Sequence, residues 1–330
     1  MSFRLLTEDD VRAVLPSSRF PELVDLMEGA LRDFSEGRVV QPVRSAVPVG
    51  PPGQYLGVMP AALPGACALG AKLVSVVPDN ARRQLSTHIG VIVLFDTMDG
   101  QLLAIMDARY ITEVRTAAVS AVSLRHLARP DAASLAVIGT GVQGRSHTEV
   151  FAAVRPLGSV SAWGPDTAQL DAFAREMASA TGLPVRACPS AEEAVAGADI
   201  IVLATASDTP VIRREWVSAG AHVVSVGACR PHQREMDPAL LAHARLVVDS
   251  REAALAESGD IRMSIAEGFF TADHIAGELG EVASGRVHGR CARADITVFK
   301  SLGLAVEDVV TGSLAWHGAL TAGLGKELAL

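Results

Sequence analysis

Residues 134–144 read SLAVIGTGVQG, a short apolar run that leads into the pattern Gly-x-Gly-x-x-Gly. The apolar run predicts a buried parallel strand, and a helix is predicted to follow over residues 142–154. In such a unit Gly139 allows the tight turn, Gly141 leaves room for a pyrophosphate and Gly144 lets the helix pack on the strand. The pyrophosphate meets exposed amides at the positive end of the helix. The stretch therefore predicts a dinucleotide site; the alternative is a glycine-rich turn that binds nothing.

The chain around this loop alternates between predicted strands and helices from Ala133 to Ser250. That alternation predicts a doubly wound parallel sheet of the Rossmann type. Open α/β sheets bind ligands at the carboxyl ends of their strands, so the loops at that edge are predicted to contact the cofactor. The predicted contacts from these loops are Gly139, Thr140, Gly141, Val142, Gln143, Gly144, Trp163, Asp166, Ala204, Thr205, Val226 and Gly227.

The turn after the second strand of this sheet is expected to lie beside the adenosine ribose. It reads WGPDT over residues 163–167 and contains no arginine. A carboxylate at this position accepts hydrogen bonds from the ribose hydroxyls and repels the 2′-phosphate of NADPH. Asp166 therefore favours NADH, with NADPH kept as the second cofactor. The alternative is that Asp166 only caps the helix that follows.

The pattern of predicted strands and helices is different before the alternating region. Helical apolar spacing marks residues 20–34, after a predicted N-cap at Thr7 for an earlier helix, and short β-rich segments follow over 43–95. The last of these is predicted to pair with the next segment through a hairpin turn at Asp99-Gly100. A further helix is predicted over residues 112–127. This part of the chain is therefore predicted to be α+β.

The C-terminal segment, residues 296–320, is interpreted as one amphipathic helix or two. It is expected to return to the N-terminal part of the chain. The predicted fold class is α/β, with a doubly wound parallel sheet in a Rossmann domain over 116–294. A second, α+β domain is predicted from residues 1–115 together with 295–330.

Charge and hydropathy exclude several function classes. The 330-residue chain has a net charge of −8 and no dense run of lysine or arginine, which argues against nucleic acid as a partner. Acidic residues begin at Glu8, too early for a secretory signal peptide. The uncharged stretch over residues 50–71 is interrupted by prolines, so no membrane span is expected there.

The cysteines are far apart and form no Cys-x-x-Cys pair; they are Cys67, Cys188, Cys229 and Cys291. This spacing argues against a disulfide framework and against a zinc site. A reducing compartment is therefore favoured, and a cytoplasmic location without a bound metal is expected.

Beyond the glycine loop, the chain resembles the ornithine cyclodeaminase/μ-crystallin family over nearly its whole length, and within it the μ-crystallin branch of ketimine reductases. The similarity is carried by QPVRSAVPV (41–49), YLGVMPA (55–61), AKLVSVVPDN (71–80), GQLLAIMDARYITEVRTAAVSA (100–121), VIGTGVQGRSH (137–147), SAEEAVAGADII (190–201), WVSAGAHVVSVGACRP (216–231), VDSREAALAESGDI (248–261) and TVFKSLGLAVED (297–308). The resemblance implies a homodimer in which the α+β domain supplies both substrate binding and the subunit interface.

The resemblance also implies roles for individual residues. Arg44 and Lys72 match the cations that hold the carboxylate of the substrate, and Lys72 is the first candidate for the proton donor. Arg115 and Thr116 match the pair that reaches cofactor phosphate and substrate. His88 falls where the family places a histidine near the pocket, and it is the second catalytic candidate.

One departure from the family pattern narrows the expected reaction. Cyclodeaminases carry an aspartate in the loop after the strand that ends Val226-Gly227-Ala228, whereas this chain has Cys229. A neutral thiol is a poor substitute for a carboxylate as a base or as an anchor for an amine. Cys229 is therefore expected beside the substrate as a small packing residue, and ornithine cyclodeamination is disfavoured.

The predicted function is reversible, NAD(P)H-dependent reduction of imines of small amino acids, with hydride transfer to the C=N carbon. One alternative is an amino-acid dehydrogenase that joins a keto acid and ammonia, or a cyclodeaminase-type enzyme. A further alternative is a non-enzymatic protein that binds a hydrophobic, thyroid-hormone-like ligand together with NAD(P)H. The glycine loop and Lys72 favour an enzyme.

Overall fold

The computed structural model describes residues 2–51, 53–66, 68–83 and 85–329, and the chain divides into two compact units. The first unit joins the residues up to Arg115 with those from Leu304 onward, and the second is Thr116–Gly303. The strands are β1 (Ser2–Leu6), β2 (Ser45–Pro48), β3 (Tyr55–Leu63), β4 (Ala68–Val76), β5 (His88–Phe95), β6 (Leu102–Asp107), β7 (Ser134–Ile138), β8 (Ser159–Trp163), β9 (Val185–Ala187), β10 (Ile200–Leu203), β11 (His222–Ser225), β12 (Arg245–Val248), β13 (Ile275–Glu278), β14 (Thr297–Lys300) and β15 (Lys326–Ala329).

The helices follow the periodicity of the sequence closely. The predicted helix over 142–154 is confirmed without a shift, and Thr7 caps the first helix, with Asp10 completing a capping box. The helices are α1 (Glu8–Val14), α2 (Phe20–Ser35), α3 (Arg109–Leu127), α4 (Val142–Val154), α5 (Thr167–Thr181), α6 (Ala191–Val195), α7 (Pro238–His243), α8 (Arg251–Glu257), α9 (Gly259–Ala266), α10 (Leu279–Ala283) and α11 (Ala305–Ala322).

The first unit contains a mixed sheet in the order β15-β1-β6-β5-β4-β3-β2. β5 and β6 pair antiparallel, which confirms the predicted hairpin, and Gly100 in its turn has a φ of 73°. Along β4 the buried positions alternate, and they include Ala68, Gly70, Lys72 and Val76. Helix α11 packs on β3, β4 and β5 and covers the face of the sheet to which Lys72 belongs. The sequence alternation of β4 thus puts a lysine at a core-facing position.

The second unit contains a parallel sheet in the order β13-β12-β14-β11-β10-β7-β8-β9. From the central β7 the chain adds β8 and β9 on one side, then crosses to add β10 and β11 on the other. The strand order therefore reverses between β7 and β10, and crevices at such reversals are where α/β sheets bind ligands. The predicted fold class, a doubly wound parallel sheet with a second α+β domain, is confirmed.

The C-terminal segment differs from its sequence-based interpretation. Residues 297–300 are not helical; they form β14, which lies between β11 and β12 and is buried along its whole length. The chain accordingly returns to the first unit at Leu304 and not at residue 295. A short apolar run has no periodicity that distinguishes a fully buried strand from a buried helix, so the sequence alone merged β14 with α11.

Among the described residues, the helices are too short or too polar to cross a bilayer. The same residues contain no cluster of His, Cys, Asp and Glu side chains arranged to hold a metal ion. Cys188, Cys229 and Cys291 are not joined in disulfides, and Cys67 lies outside the described residues.

Candidate active site

The glycine loop lies between β7 and α4, at the reversal of strand order in the second sheet. Gly139 has a φ of 105°, in the left-handed region, and a Cβ there would lie 2.5 Å from the carbonyl oxygen of Ala204. A Cβ on Gly144 would lie 2.2 Å from the carbonyl oxygen of Gly139, so α4 packs directly on the loop. At Gly141, in contrast, a Cβ would meet no protein atom within 4 Å. Gly141 is therefore not needed for packing of the second unit.

The space beside Gly141 fits a pyrophosphate. Gly141 is the N-cap residue of α4, and within the described chain no side chain caps this helix. The amides of the first turn thus remain available at the positive end of the helix dipole, where phosphate binds favourably. Val142 in this turn is 54% exposed, whereas Thr140 is buried and Gln143 half-buried. The loop fits a nicotinamide dinucleotide, which supplies hydride chemistry when bound.

Two loops at the carboxyl edge of the second sheet meet at one buried carboxylate, that of Glu235. Its Oε1 accepts hydrogen bonds from the backbone N (2.5 Å) and Oγ1 (2.9 Å) of Thr205. Its Oε2 accepts from Ser225 Oγ (2.9 Å) and from the backbone N of Gly227 (3.0 Å) and Ala228 (3.1 Å). Glu235 accepts hydrogen bonds directly from backbone amides of both loops. It therefore fixes the positions of Thr205 and Gly227, two predicted cofactor contacts.

Lys300 and Asp260 complete this buried network. Lys300 Nζ donates to Ser225 Oγ (2.9 Å) and to the Ala228 carbonyl oxygen (2.7 Å), and it lies 3.1 Å from Asp260 Oδ2. Burial acts to lower the pKa of Lys300, but Asp260 and Glu235 outweigh it, so this pKa lies above its usual value. Lys300 therefore remains an ammonium and supports the loop after β11.

The remaining predicted contacts of the second unit lie in the same loops. Trp163 ends β8, and its carbonyl oxygen accepts from the backbone N of Gly139 at 2.9 Å. Cys229 is half-buried, and its thiol donates to the Val226 carbonyl oxygen at 3.1 Å. That contact favours a packing role for Cys229 within the loop.

Asp166 occupies the N-cap position of α5. Its side chain is exposed, and Oδ1 accepts from the backbone N of Gln169 at 2.9 Å. The capping role considered from the sequence is therefore present. Ribose recognition by the same carboxylate remains a prediction, because one oxygen engaged in a cap leaves the other able to accept hydrogen bonds.

A buried cluster of charges lies in the first unit, where β4, α3 and the first turn of α11 meet. Lys72 Nζ lies 2.6 Å from Asp308 Oδ2. Asp308 Oδ1 accepts from Arg115 Nε at 3.0 Å, and Glu307 Oε2 accepts from Arg115 Nη1 at 2.6 Å. The two acids belong to the first turn of α11, where a helix dipole favours negative charge. Asp308 therefore bridges two of the three cations predicted to contact the substrate, Lys72 and Arg115.

The cluster changes the proton affinity of Lys72. The pKa of its ammonium is lowered to about 8. Burial is the main cause, Asp308 opposes it, and the positive charges of Arg115 and Arg44 add to it. On the flanking strands the register partners of Lys72 are Met59 and Ile92, both buried and apolar. Lys72 can therefore gain and lose a proton near neutral pH, as general acid–base catalysis requires.

The segment before β2 is hydrogen-bonded to the first turn of α11. Gln41 Oε1 accepts from the backbone N of Val306 at 2.9 Å and so satisfies an amide in the first turn of that helix. Arg44 follows three residues later, is half-buried, and is close enough to influence the pKa of Lys72. The structure thus brings Lys72 and Arg115 together at Asp308, and Arg44 acts on Lys72 through its charge.

Two further predicted site residues, His88 and Thr116, lie on β5 and α3. His88 is exposed at the start of β5, where Nδ1 lies 2.9 Å from Thr87 Oγ1. It is paired with Val76, four residues along β4 from Lys72, which corresponds to about 13 Å along the strand. Thr116 is buried and begins the second unit.

Sequence reasoning missed five charged residues of these two clusters: Glu235, Asp260, Lys300, Glu307 and Asp308. All are buried, and a signal for the last two was present. Two adjacent acids stand in an otherwise apolar helix, AVEDVVTGSLAW, where burial requires a partner of opposite charge. Glu235 has no such signal, because most of its neighbours in the segment CRPHQREMDP are polar or charged.

The chain is similar to known proteins over nearly its whole length. The profile of the ornithine cyclodeaminase/mu-crystallin family matches residues 6–320. Ketimine reductase mu-crystallin of Rattus norvegicus is 43% identical over 314 residues, which covers 94% of this chain and 96% of the rat protein.

Two solved structures are similar over the full chain. Thermococcus litoralis Δ1-pyrroline-2-carboxylate reductase, in complex with NADH and L-proline, superposes with a TM-score of 0.94 at 34% identity and covers 98% of this chain and 99% of that one. An archaeal alanine dehydrogenase dimer with bound NAD gives a TM-score of 0.93 at 29% identity, with complete coverage of both chains.

Proposed function

The chain belongs to the ornithine cyclodeaminase/mu-crystallin family, and we propose that it is an NAD(P)H-dependent reductase of imines of small amino acids. The observation that carries this proposal is the charge cluster of the first unit, in which three cations face two acids and the lysine has a pKa of about 8; its members are Arg44, Lys72, Arg115, Glu307 and Asp308. An imino acid has a carboxylate to be held and a nitrogen to be protonated. The cluster provides for both.

The two units contribute different parts of this activity. Backbone amides at Gly141 and the loops fixed by Glu235 hold the dinucleotide, which is the source of hydride. Arg44 and Arg115 attract the carboxylate of the substrate, since guanidinium groups match its planar geometry. Lys72 donates the proton that the nitrogen needs when the C=N bond is reduced. Cys229 packs beside the substrate and takes no proton. The described cysteines are not joined in disulfides, and the proposed location is the cytoplasm.

The test compares a cyclic imino acid with its decarboxylated analogue. We expect the protein to oxidise NADH with Δ1-pyrroline-2-carboxylate, and kcat/KM for 1-pyrroline to be lower by about 30-fold or more, because a charge-assisted contact is lost. Loss of NADH absorbance measures both rates. Equal rates for the two imines, or no reduction of either, would contradict the proposal.

The same assay separates the competing reactions. An amino-acid dehydrogenase, the function of one structural relative, would need ammonia together with a keto acid such as pyruvate. A cyclodeaminase would form proline and ammonia from ornithine, which is not expected here because Cys229 replaces the aspartate of that branch. Cys229→Ser should retain most of the imine reduction, and a large loss would assign the thiol a chemical role.

We expect NADH to be preferred over NADPH by about 10-fold or more in kcat/KM. A 2′-phosphate a few ångströms from the Asp166 carboxylate costs about 1–4 kcal/mol at the surface of a protein. Asp166→Ser is the matched variant, because serine can still cap α5 while the charge is removed. The kcat/KM of this variant with NADPH should rise by about 10-fold. Its melting temperature should stay close to that of the parent. An unchanged cofactor ratio would leave Asp166 with the capping role alone.

We propose that the functional unit is a homodimer formed through the first unit. By strand register, one face of its sheet carries apolar side chains that are 36–60% exposed: Leu5, Val47, Leu56, Ile89, Val91 and Phe95. Helix α11 packs on the opposite face. An exposed face with this many large apolar side chains is typical of a subunit interface.

Val91→Lys should convert the dimer to a monomer, because it places a charge in the middle of this face. Asp107, its register partner on β6, offers an opposite charge in the monomer, so the fold should survive. Met98→Lys is the control, since Met98 is 89% exposed in the hairpin turn. Sedimentation velocity should give dimers for the parent and for the Met98 variant. Dimeric Val91→Lys protein would rule out this face.

A further inference from the structure

Lysine is rare in this chain, which contains only Lys72, Lys300 and Lys326 among its 29 basic residues. Lys72 and Lys300 are buried, and Lys326 is exposed. Arginine stays protonated in proteins, whereas a buried lysine can release its proton. Lys300 is held as an ammonium by Asp260 and Glu235, so Lys72, beside Asp308 in the first unit, is the buried lysine suited to proton transfer.

The surroundings of Lys72 set its charge. From α11, Asp308 contacts Nζ at 2.6 Å. From α3, the Arg115 guanidinium is held by Asp308 and Glu307, and Arg44 acts from the segment before β2. The flanking strands present the apolar side chains of Met59 and Ile92. Among these neighbours Asp308 is the group that favours the protonated amine.

Resting on the imine reduction proposed above, we propose that Asp308 is a positioning residue for proton transfer: its carboxylate keeps Lys72 as the ammonium that protonates the substrate nitrogen, and it holds the Arg115 guanidinium at its other oxygen. The two oxygens of the Asp308 carboxylate thereby contact groups with different functions. Oδ2 serves the proton donor and Oδ1 serves the group that attracts the substrate carboxylate.

Reduction of the C=N bond needs a hydride at carbon and a proton at nitrogen. The dinucleotide that the loop at Gly141 would hold would supply the hydride: a C–H bond of its reduced ring would be exchanged for the new C–H bond of the product, and the dinucleotide would be oxidised. The π electrons of C=N form a new N–H bond while a Lys72 Nζ–H bond breaks. Lys72 is left as a neutral amine next to Asp308, and it regains a proton from water before the next turnover.

Removal of the carboxylate should leave Lys72 mostly neutral at the pH of the reaction. With Asp308 in place, burial already lowers the pKa of Lys72 to about 8, and Asp308 opposes that effect. The carboxylate is itself ionised, because Arg115 and Lys72 together outweigh the effect of burial and hold the pKa of Asp308 below its usual value. Loss of a neighbouring opposite charge shifts a pKa by about 1–3 units. In Asp308→Asn, Lys72 should therefore titrate about 1–3 units lower than in the parent.

The experiment is an NMR titration of protein labelled with [13C-ε]lysine. With three lysines, the assignment needs only Lys326→Arg and Lys72→Arg variants. We expect a Lys72 signal that titrates near pH 8 in the parent, moves about 1–3 units lower in Asp308→Asn, and is largely restored in Asp308→Glu. Lys326 is the exposed reference, and an unchanged Lys300 signal reports an intact second unit. The Glu variant also provides a reading if the Asn variant does not fold.

Activity provides the second measurement. The reductive kcat/KM should fall as pH rises through the pKa of Lys72, and the midpoint of that fall should move with the NMR titration in each variant. A Lys72 titration that is the same in parent and Asp308 variants would overturn the inference, whatever the activity. A titration that moves while the midpoint stays would overturn Lys72 as the proton donor. A parent protein that reduces no imine would instead overturn the proposed function, since the titration does not depend on turnover.

Discussion

Lys72→Ala should lower kcat/KM for a carboxylated cyclic imine by about 30-fold to several thousand-fold, which corresponds to roughly 2–5 kcal/mol. The loss has two sources: the substrate carboxylate loses a nearby positive charge, and the nitrogen loses its proton donor. Both kcat and KM should therefore change. Steady-state rates with NADH at pH 7, over a range of imine concentrations, measure the two effects separately.

Lys72→Arg separates charge from proton transfer. The guanidinium restores a positive charge beside Asp308 but does not release a proton at this pH, so KM should recover while kcat stays low. Lys326→Ala, at an exposed position of β15, is the control and should leave the rate unchanged. Arg44→Ala should raise KM more than it lowers kcat, and it should barely change the rate with 1-pyrroline. Full kcat in Lys72→Arg would exclude Lys72 as the donor.

Gly141→Val should weaken NADH binding by about 100-fold or more, equivalent to about 2.7 kcal/mol, while the protein stays folded. The new side chain would occupy the space into which the pyrophosphate fits, where a Cβ meets no protein atom within 4 Å. The backbone of Gly141, with φ of −78° and ψ of −163°, is accessible to valine. Calorimetric titration with NADH measures the loss, and thermal unfolding checks the fold.

Two other glycines provide the controls for this prediction. Gly65→Val adds the same side chain at a position that is also open, but in the first unit, so NADH affinity should not change. Gly144→Ala should lower the melting temperature, because its Cβ would lie 2.2 Å from the Gly139 carbonyl oxygen. Unchanged NADH affinity in folded Gly141→Val protein would remove the glycine loop from the cofactor site.

The cofactor half of the candidate site could be predicted from the sequence because it is local. The strand, the glycine turn and helix α4 are consecutive, and the absence of a side chain at Gly144 answers to the carbonyl oxygen of Gly139 in the same turn. Hydrophobic spacing predicted α4 and α2 for the same reason, since the period of a helix is a property of adjacent residues. The position of Lys72 and its expected role came from the family resemblance.

The tertiary structure alone decided how the charged residues are combined. Lys72 and Asp308 are distant in the chain, and only the packing of α11 on β4 brings their side chains to 2.6 Å. The same packing removes water from Lys72, so its pKa depends on neighbours that the sequence does not identify. Glu235 likewise becomes part of the site only because the parallel sheet brings two loops to one carboxylate. Local steric rules act between neighbours in the sequence, whereas burial and electrostatics act between neighbours in space; the sequence determined the first, and the fold decided the second.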